Sequence, residues 1–176
     1  MRMNVNEKEY EIIKLLGKGK GGYSYLVNDE SKKYVLKQIH HEPCDYYQFG
    51  NKVETEINDY RRLKKIGINM PAMLEVDLKN ERILKEFIEG DTVYELILRD
   101  KMRADYLDQL HGMCVLLYAS HTNIDYFPTN FVVQDGKLFY IDYECNDYMD
   151  EWNFENWGVK YWSKTPEFLQ YVKEHP

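Results

Sequence analysis

Long hydrophobic runs are missing from this chain, and residues 1–10 are polar, with no apolar stretch of the kind that opens a secretory signal. These absences argue against a membrane-spanning helix or a signal peptide, so the expectation is a cytoplasmic protein with no membrane partner. Cysteine is scarce as well. Cys44, Cys114 and Cys145 are odd in number, widely spaced and outside any CxxC arrangement, which speaks against a disulfide framework or a zinc site. An excess of basic residues is also lacking. With 23 Lys and Arg against 30 Asp and Glu, the formal charge is −7, whereas non-specific nucleic-acid binding needs a cationic surface. The basic cluster Arg61, Arg62, Lys64 and Lys65 reads as the solvated face of a helix. No repeat, low-complexity tract or flexible linker interrupts the chain.

What is present is globular: 44% hydrophobic and 30% charged residues, with sixteen tyrosines. A length of 176 residues suits one domain, 1–176, with a lobe boundary near residue 89. Residues 10–16, 23–27 and 33–39 read as an antiparallel meander joined by turns at 17–22 and 28–33. Residues 40–51 read as a loop. Val53, Ile57, Tyr60, Leu63 and Ile66 keep helical spacing, and Gly67 stops that helix. Strands are expected over 73–77 and 82–88. Asp91 or Thr92 can cap a helix starting near Val93, and a further helix spans 104–120. Phe131–Val133 and Leu138–Ile141 flank an Asp135-Gly136 hairpin turn, and helices are expected near 153–162 and 166–174.

Several residues carry chemistry. Gly17, Gly19 and Gly22 form GxGxxG between two strands, where glycine lets backbone N–H groups approach phosphate, with Lys18 and Lys20 adding positive charge. A strand rather than a helix follows, which disfavours a dinucleotide-binding βαβ unit. Lys37 sits near the end of its strand, where it can reach phosphates if a carboxylate holds it. Glu56 is the better partner, Glu54 the lesser. Asp125 and Asn130 precede a hairpin that delivers Asp142. This is a phosphoryl-transfer layout, with one carboxylate to orient a hydroxyl, and an amide and a carboxylate to hold magnesium. The histidines share no metal-ligand spacing, and Trp152, Trp157 and Trp162 read as core or rim packing.

Taken in order, the glycine-rich hairpin, strand Lys37, helix Glu56, Asp125-x4-Asn130 and hairpin Asp142 resemble the protein-kinase-like superfamily. The resemblance implies an α+β bilobal fold, with a small antiparallel-sheet lobe and a reduced, mainly helical one, using ATP and Mg2+. It implies that Asp125 is the catalytic base, that Asn130 and Asp142 hold the metal, and that Lys37 binds phosphates and is fixed by Glu56. It further implies that Val35 covers adenine while the backbone of Glu86 and Ile88 meets its edge, with Lys85 at the position before them. The departures are specific. Asn123-Ile124-Asp125 replaces the usual His-Arg-Asp, Asp142-Tyr143-Glu144 replaces Asp-Phe-Gly, and Phe127 stands where conventional protein kinases carry a lysine. The short hairpin is similar to that of the RIO group and the KEOPS-associated kinase, whereas Asp-aromatic-Glu resembles choline and aminoglycoside kinases. The implied activity is an atypical serine/threonine protein kinase with a protein acceptor. A small-molecule hydroxyl acceptor, such as an amino alcohol or aminoglycoside, and an ATP-binding pseudokinase scaffold stand as alternatives. The sequence assigns no oligomeric state.

Overall fold

A computed structural model describes residues 1–42 and 51–176, so Cys44 and most of the loop expected at 40–51 lie outside the described residues. Two compact units emerge, one of residues 1–60 and 71–87, the other of 61–70 and 88–176.

The first unit is built on one antiparallel sheet. Its strands are β1 (Arg2–Val5), β2 (Lys8–Lys18), β3 (Gly22–Asn28), β4 (Lys33–Ile39), β5 (Met73–Asp77) and β6 (Arg82–Glu86). They lie in the order β1-β2-β3-β4-β6-β5. Alternation sends Val5, Tyr10, Val27, Leu36 and Leu84 into a common apolar cluster. Burial of these side chains is the main force holding the sheet. Strand β1 was not expected. Only Met3 and Val5 are apolar in it, too few for a readable period, and its place is set by pairing with β2 from Met3↔Tyr10 to Val5↔Lys8. Strand β2 also runs past Leu16 through a bulge between Leu15 and Gly17, so Gly17 lies in the strand opposite Ser24 and the turn proper is 19–21.

Asp77 joins the two turns at one end of this sheet. Its carboxylate accepts from Asn80 N–H (3.0 Å), Asn80 Nδ2 (2.9 Å) and Asn6 N–H (2.8 Å). These bonds, those from Asn80 foremost, hold its carboxyl below the usual aspartate range. Helix α1 (Lys52–Ile66) begins under an Asn51 side-chain cap onto Glu54 N–H (3.0 Å). It ends where Gly67 takes φ +101° and Ile68 N–H returns to Leu63 C=O (3.1 Å).

The second unit contains β7 (Asp91–Thr92), α2 (Val93–Leu98), α3 (Ala104–Ala119), β8 (Thr122–Ile124), β9 (Phe131–Gln134), β10 (Lys137–Tyr140), β11 (Cys145–Asp147) and α4 (Pro166–Glu174). Thr92 caps α2 reciprocally with Glu95, deciding between the two caps read from sequence. Two small sheets form, β10-β9-β7 and β11-β8. Gly90 makes the first possible, because a Cβ there would lie 2.0 Å from the Val133 carbonyl oxygen. Leu110, Leu117, Phe131, Leu138, Tyr140 and Phe168 belong to its core.

The helix expected near 153–162 is absent. Asp150–Trp152 and Gly158–Tyr161 are single 3-10 turns instead. Asn153 diverts the backbone, its Oδ1 accepting from Asn156 N–H (2.7 Å), and a Cβ on Gly158 would lie 2.7 Å from both Phe154 and Tyr126. Trp162 is buried, and its indole N–H donates to Tyr126 C=O (2.7 Å). Trp152 is half exposed. In the basic cluster Leu63 is fully buried, while Arg62 donates to Thr122 Oγ1 (2.9 Å) and Asp147 (3.0 Å). Among the described residues no helix is long and apolar enough to cross a membrane. The antiparallel-sheet unit and the helix-containing unit together make the α+β, two-lobe fold that the sequence resemblance implied.

Candidate functional site

The residues singled out from sequence fall in both units, and each half is built locally. In the first, strand alternation turns Leu36 into the apolar cluster and leaves Val35 and Lys37 on the opposite face of β4. Lys37 Nζ is ion-paired with Glu56 Oε1 of α1, and their side chains are only 17% and 10% exposed. Among the described residues the other carboxylate oxygen, Glu56 Oε2, is buried with no hydrogen-bond partner. Glu54 is exposed, so the structure pairs Lys37 with the better of the two carboxylates read from sequence.

The glycine-rich turn is closed by Gly19 N–H donating to Gly22 C=O (2.9 Å). Gly22 has no room for a side chain, since a Cβ would lie 2.6 Å from Gln38 O and 3.1 Å from Lys37 Cε. This close approach is what glycine permits beside the lysine stem. His40, which the sequence did not single out for this role, braces the turn. Its backbone N–H donates to Gly21 C=O (3.0 Å), and its Nε2 meets Gly19 C=O (2.9 Å). At the far end of the sheet, Val35 stands opposite Lys85, which is buried, and Tyr34 opposite Glu86. Glu86 N–H donates to Ala72 C=O (2.9 Å), while its carboxylate accepts from Ala72 N–H (3.2 Å). Ile88, in the second unit, is buried.

In the second unit a few residues draw Asp125, Asn130 and the start of Asp142 together. Asp125 follows β8, and its Oδ1 accepts from Phe127 N–H (3.1 Å). The Pro128–Asn130 turn brings Asn130 back, its Nδ2 donating to Asp125 C=O (3.3 Å). Asn130 C=O accepts from Ile141 N–H (2.9 Å), so Asn130 and Asp142 flank the base of the β9-β10 hairpin. The turn of that hairpin has φ +51° at Asp135 and +77° at Gly136, as the Asp-Gly reading requires. Asp142 Oδ1 accepts from Tyr143 N–H (2.7 Å) and Glu144 N–H (3.2 Å). Oδ2 lies outside these two bonds.

This donor set suits magnesium. Both side chains offer oxygen, the Asn130 amide spends its nitrogen on Asp125, and Mg2+ is ordinarily held by one or two protein oxygens, phosphates and water. Among the described residues no group of three or more His, Cys, Asp or Glu forms a self-sufficient metal cage.

Two supports were not legible in the sequence. Tyr140 is fully buried; its hydroxyl accepts from Asp125 N–H (3.2 Å) and donates to Glu144 C=O (2.7 Å). Asn123, buried in β8 where the histidine is missing, donates from Nδ2 to Met149 C=O (3.0 Å). The available signal was a polar tip on a strand residue of the buried parity, which must find a partner. Phe127 packs with Tyr171 (ring centroids 4.6 Å apart), Tyr161 (5.2 Å) and Trp157 (6.4 Å).

No family model matches the chain. It is 31% identical over 131 residues to the KEOPS complex subunit Bud32 of Pyrococcus abyssi, covering 73% of this chain and 60% of that protein. It is 25% identical over 108 residues to the EKC/KEOPS complex subunit bud32 of Dictyostelium discoideum, covering 58% of this chain and 43% of that protein. A probable serine/threonine-protein kinase of Dictyostelium discoideum is 29% identical over 110 residues, covering 58% of this chain and 28% of that protein. The chain thus spans about half the length of the first two of these relatives.

Proposed function

Because the chain is homologous to the Bud32 subunits of KEOPS, atypical members of the protein-kinase-like superfamily, we propose that it is an ATP- and Mg2+-dependent phosphotransferase acting on serine or threonine hydroxyls of a protein. The observation that carries this reading is the local gathering of Asp125, Asn130 and Asp142 about one hairpin base, in a chain that also pairs Lys37 with Glu56. In this reading the chain is one cytoplasmic kinase domain, 1–176, and its likeness to a complex subunit supports a protein assembly as its setting.

The residues take distinct roles. Backbone amides around Gly17, Gly19 and Gly22 line the phosphates, and Lys37, its direction fixed by Glu56, neutralises their charge. Val35 covers the adenine face, while Glu86 C=O and Ile88 N–H meet its edge. Asn130 and Asp142 hold Mg2+, which when bound offsets charge on the phosphate oxygens. Asp125 orients the acceptor hydroxyl and takes its proton. The acceptor oxygen bonds to the γ-phosphorus, the bond to the bridging β-phosphate oxygen breaks, and ADP leaves.

The amino-alcohol alternative asks the acidic, aromatic segment after Asp142 to hold a cation. There Asp147 meets Arg62, Glu155 accepts from Tyr118 Oη (2.7 Å), and the rings about Phe127 pack on one another. Likeness to complex subunits and to a probable serine/threonine-protein kinase is what favours the protein acceptor.

The test is transfer from γ-labelled ATP, with Mg2+, to the chain itself and to candidate protein and amino-alcohol acceptors. Labelled serine or threonine that disappears with Asp125→Asn is the expected result. Label only on amino alcohols would move the acceptor to small molecules. Nucleotide binding without transfer under any metal would make the chain an ATP-binding scaffold.

A further inference from the structure

We propose that Tyr140 is a positioning residue, whose hydroxyl sets the main chain of Asp125 against that of the Asp142–Glu144 segment. The inference rests on the phosphotransferase reading for its catalytic meaning, though the linkage itself is geometric.

Three restraints fix the phenol. Tyr140 N–H donates to Asn69 C=O (2.9 Å), which pins the strand. Its ring lies 5.2 Å from that of Phe131, and the residue is inaccessible to solvent. The hydroxyl then bridges two main-chain groups fifteen and four residues away, Asp125 N–H and Glu144 C=O.

The polarity of this bridge is determined by its ends. A phenol has one proton to donate and lone pairs to accept with. An amide N–H can only donate and a carbonyl can only accept, so the hydroxyl proton must point to Glu144.

Two kinds of freedom are removed. Asp125 cannot rotate its peptide without breaking the bond to Tyr140, and the turn after Asp142 cannot withdraw without breaking the other. Misplacing a reacting group by about 1 Å can lower a rate about 100-fold, so a joint of this kind acts on kcat rather than on nucleotide affinity.

Tyr140→Phe keeps the ring and deletes the bridge. The expected result is kcat lowered about 10- to 100-fold, with KM for ATP held within about threefold and the pH profile of kcat unshifted. Amide hydrogen exchange supplies a second readout, independent of activity. The Asp125 amide is protected in the unaltered chain and exchanges faster in Tyr140→Phe, while the Leu138 amide, held by Gln109 Oε1 (2.8 Å), stays as it was. An unprotected Asp125 amide in the unaltered chain overturns the proposal even if the variant does not fold. So does a Tyr140→Phe protein with unchanged exchange and kcat within twofold, or with a shifted pH profile. Absence of phosphoryl transfer by the unaltered chain would sink the functional reading alone, leaving exchange at Asp125 to decide the linkage.

Discussion

The first unit fixes its candidate functional side chain by an ion pair, the second by hydrogen bonds with the main chain. Lys37 is directed by one carboxylate across a partly dried ion pair. Asp125, Asn130 and Asp142 are held by backbone amides and carbonyls and by a phenol. A buried ion pair fails sharply when one member is removed and mildly when both are. A mesh of backbone hydrogen bonds tolerates loss of a side-chain charge, because the scaffold does not depend on it. The two halves should therefore separate under mutation, one losing stability with function, the other losing function alone.

The strongest way to sharpen the contrast is Asp142→Asn. ATP turnover should fall by about 100- to 1,000-fold, as when a charge-stabilising group is removed, with the thermal midpoint nearly kept. Turnover at the unaltered level would remove Asp142 from the metal site. Chelating Mg2+ from the unaltered protein should reproduce that loss, and restoring the ion should reverse it.

Next comes the ion pair. Lys37→Met alone should cost about 3 kcal/mol in urea denaturation, and Lys37→Met with Glu56→Leu distinctly less than that. A double variant as unstable as the single one would show that the pair does not behave as a partly buried charge pair. A smaller effect, about 2 kcal/mol, is expected for Gly22→Ala, whose methyl group would meet Gln38 O at 2.6 Å. Unfolding of a stable, fully active Gly22→Ala protein at the unaltered urea midpoint would break the link between that close approach and the turn.

The mildest effect is acid sensitivity at Asp77. Its folded pKa lies below the unfolded value, so its stabilisation is present above about pH 4 and fades as pH falls toward the depressed pKa. Asp77→Asn should flatten the acid side of the stability curve below pH 4 and leave second-unit signals, such as Trp162 fluorescence, the smaller part of the change. A variant with the same acid slope as the unaltered protein would assign that slope elsewhere.

Legibility followed a physical boundary. Strands β2 to β4, helix α1, a cap at Asp91 or Thr92 and the Asp135-Gly136 turn are written in local period and turn chemistry, and the order of the residues anticipates the Lys37–Glu56 pair and the approach of Asp125, Asn130 and Asp142. Strands β1, β7, β8 and β11 have two to four residues each, too short for a period, and exist because a distant partner pairs with them. The sequence reads as a helix near 153–162. The constraint that prevailed was the tertiary approach of Gly158 to Tyr126 and Phe154. Tyr140, Asn123 and His40 each support the candidate residues through at least one partner fifteen or more residues away, which a local pattern does not encode.

The tight turn at Asp135-Gly136 also has a kinetic consequence. Hairpins close within about 1–10 μs, before long-range pairings are made. Asn130 and Asp142 stand at the open end of this one, so their approach is decided by a segment of thirteen residues zipping from its tip. The approach of Asn130 to Asp142 is thereby among the early things the chain learns as it folds, and the distant tie at Asp125 arrives on a hairpin whose spacing is already drawn.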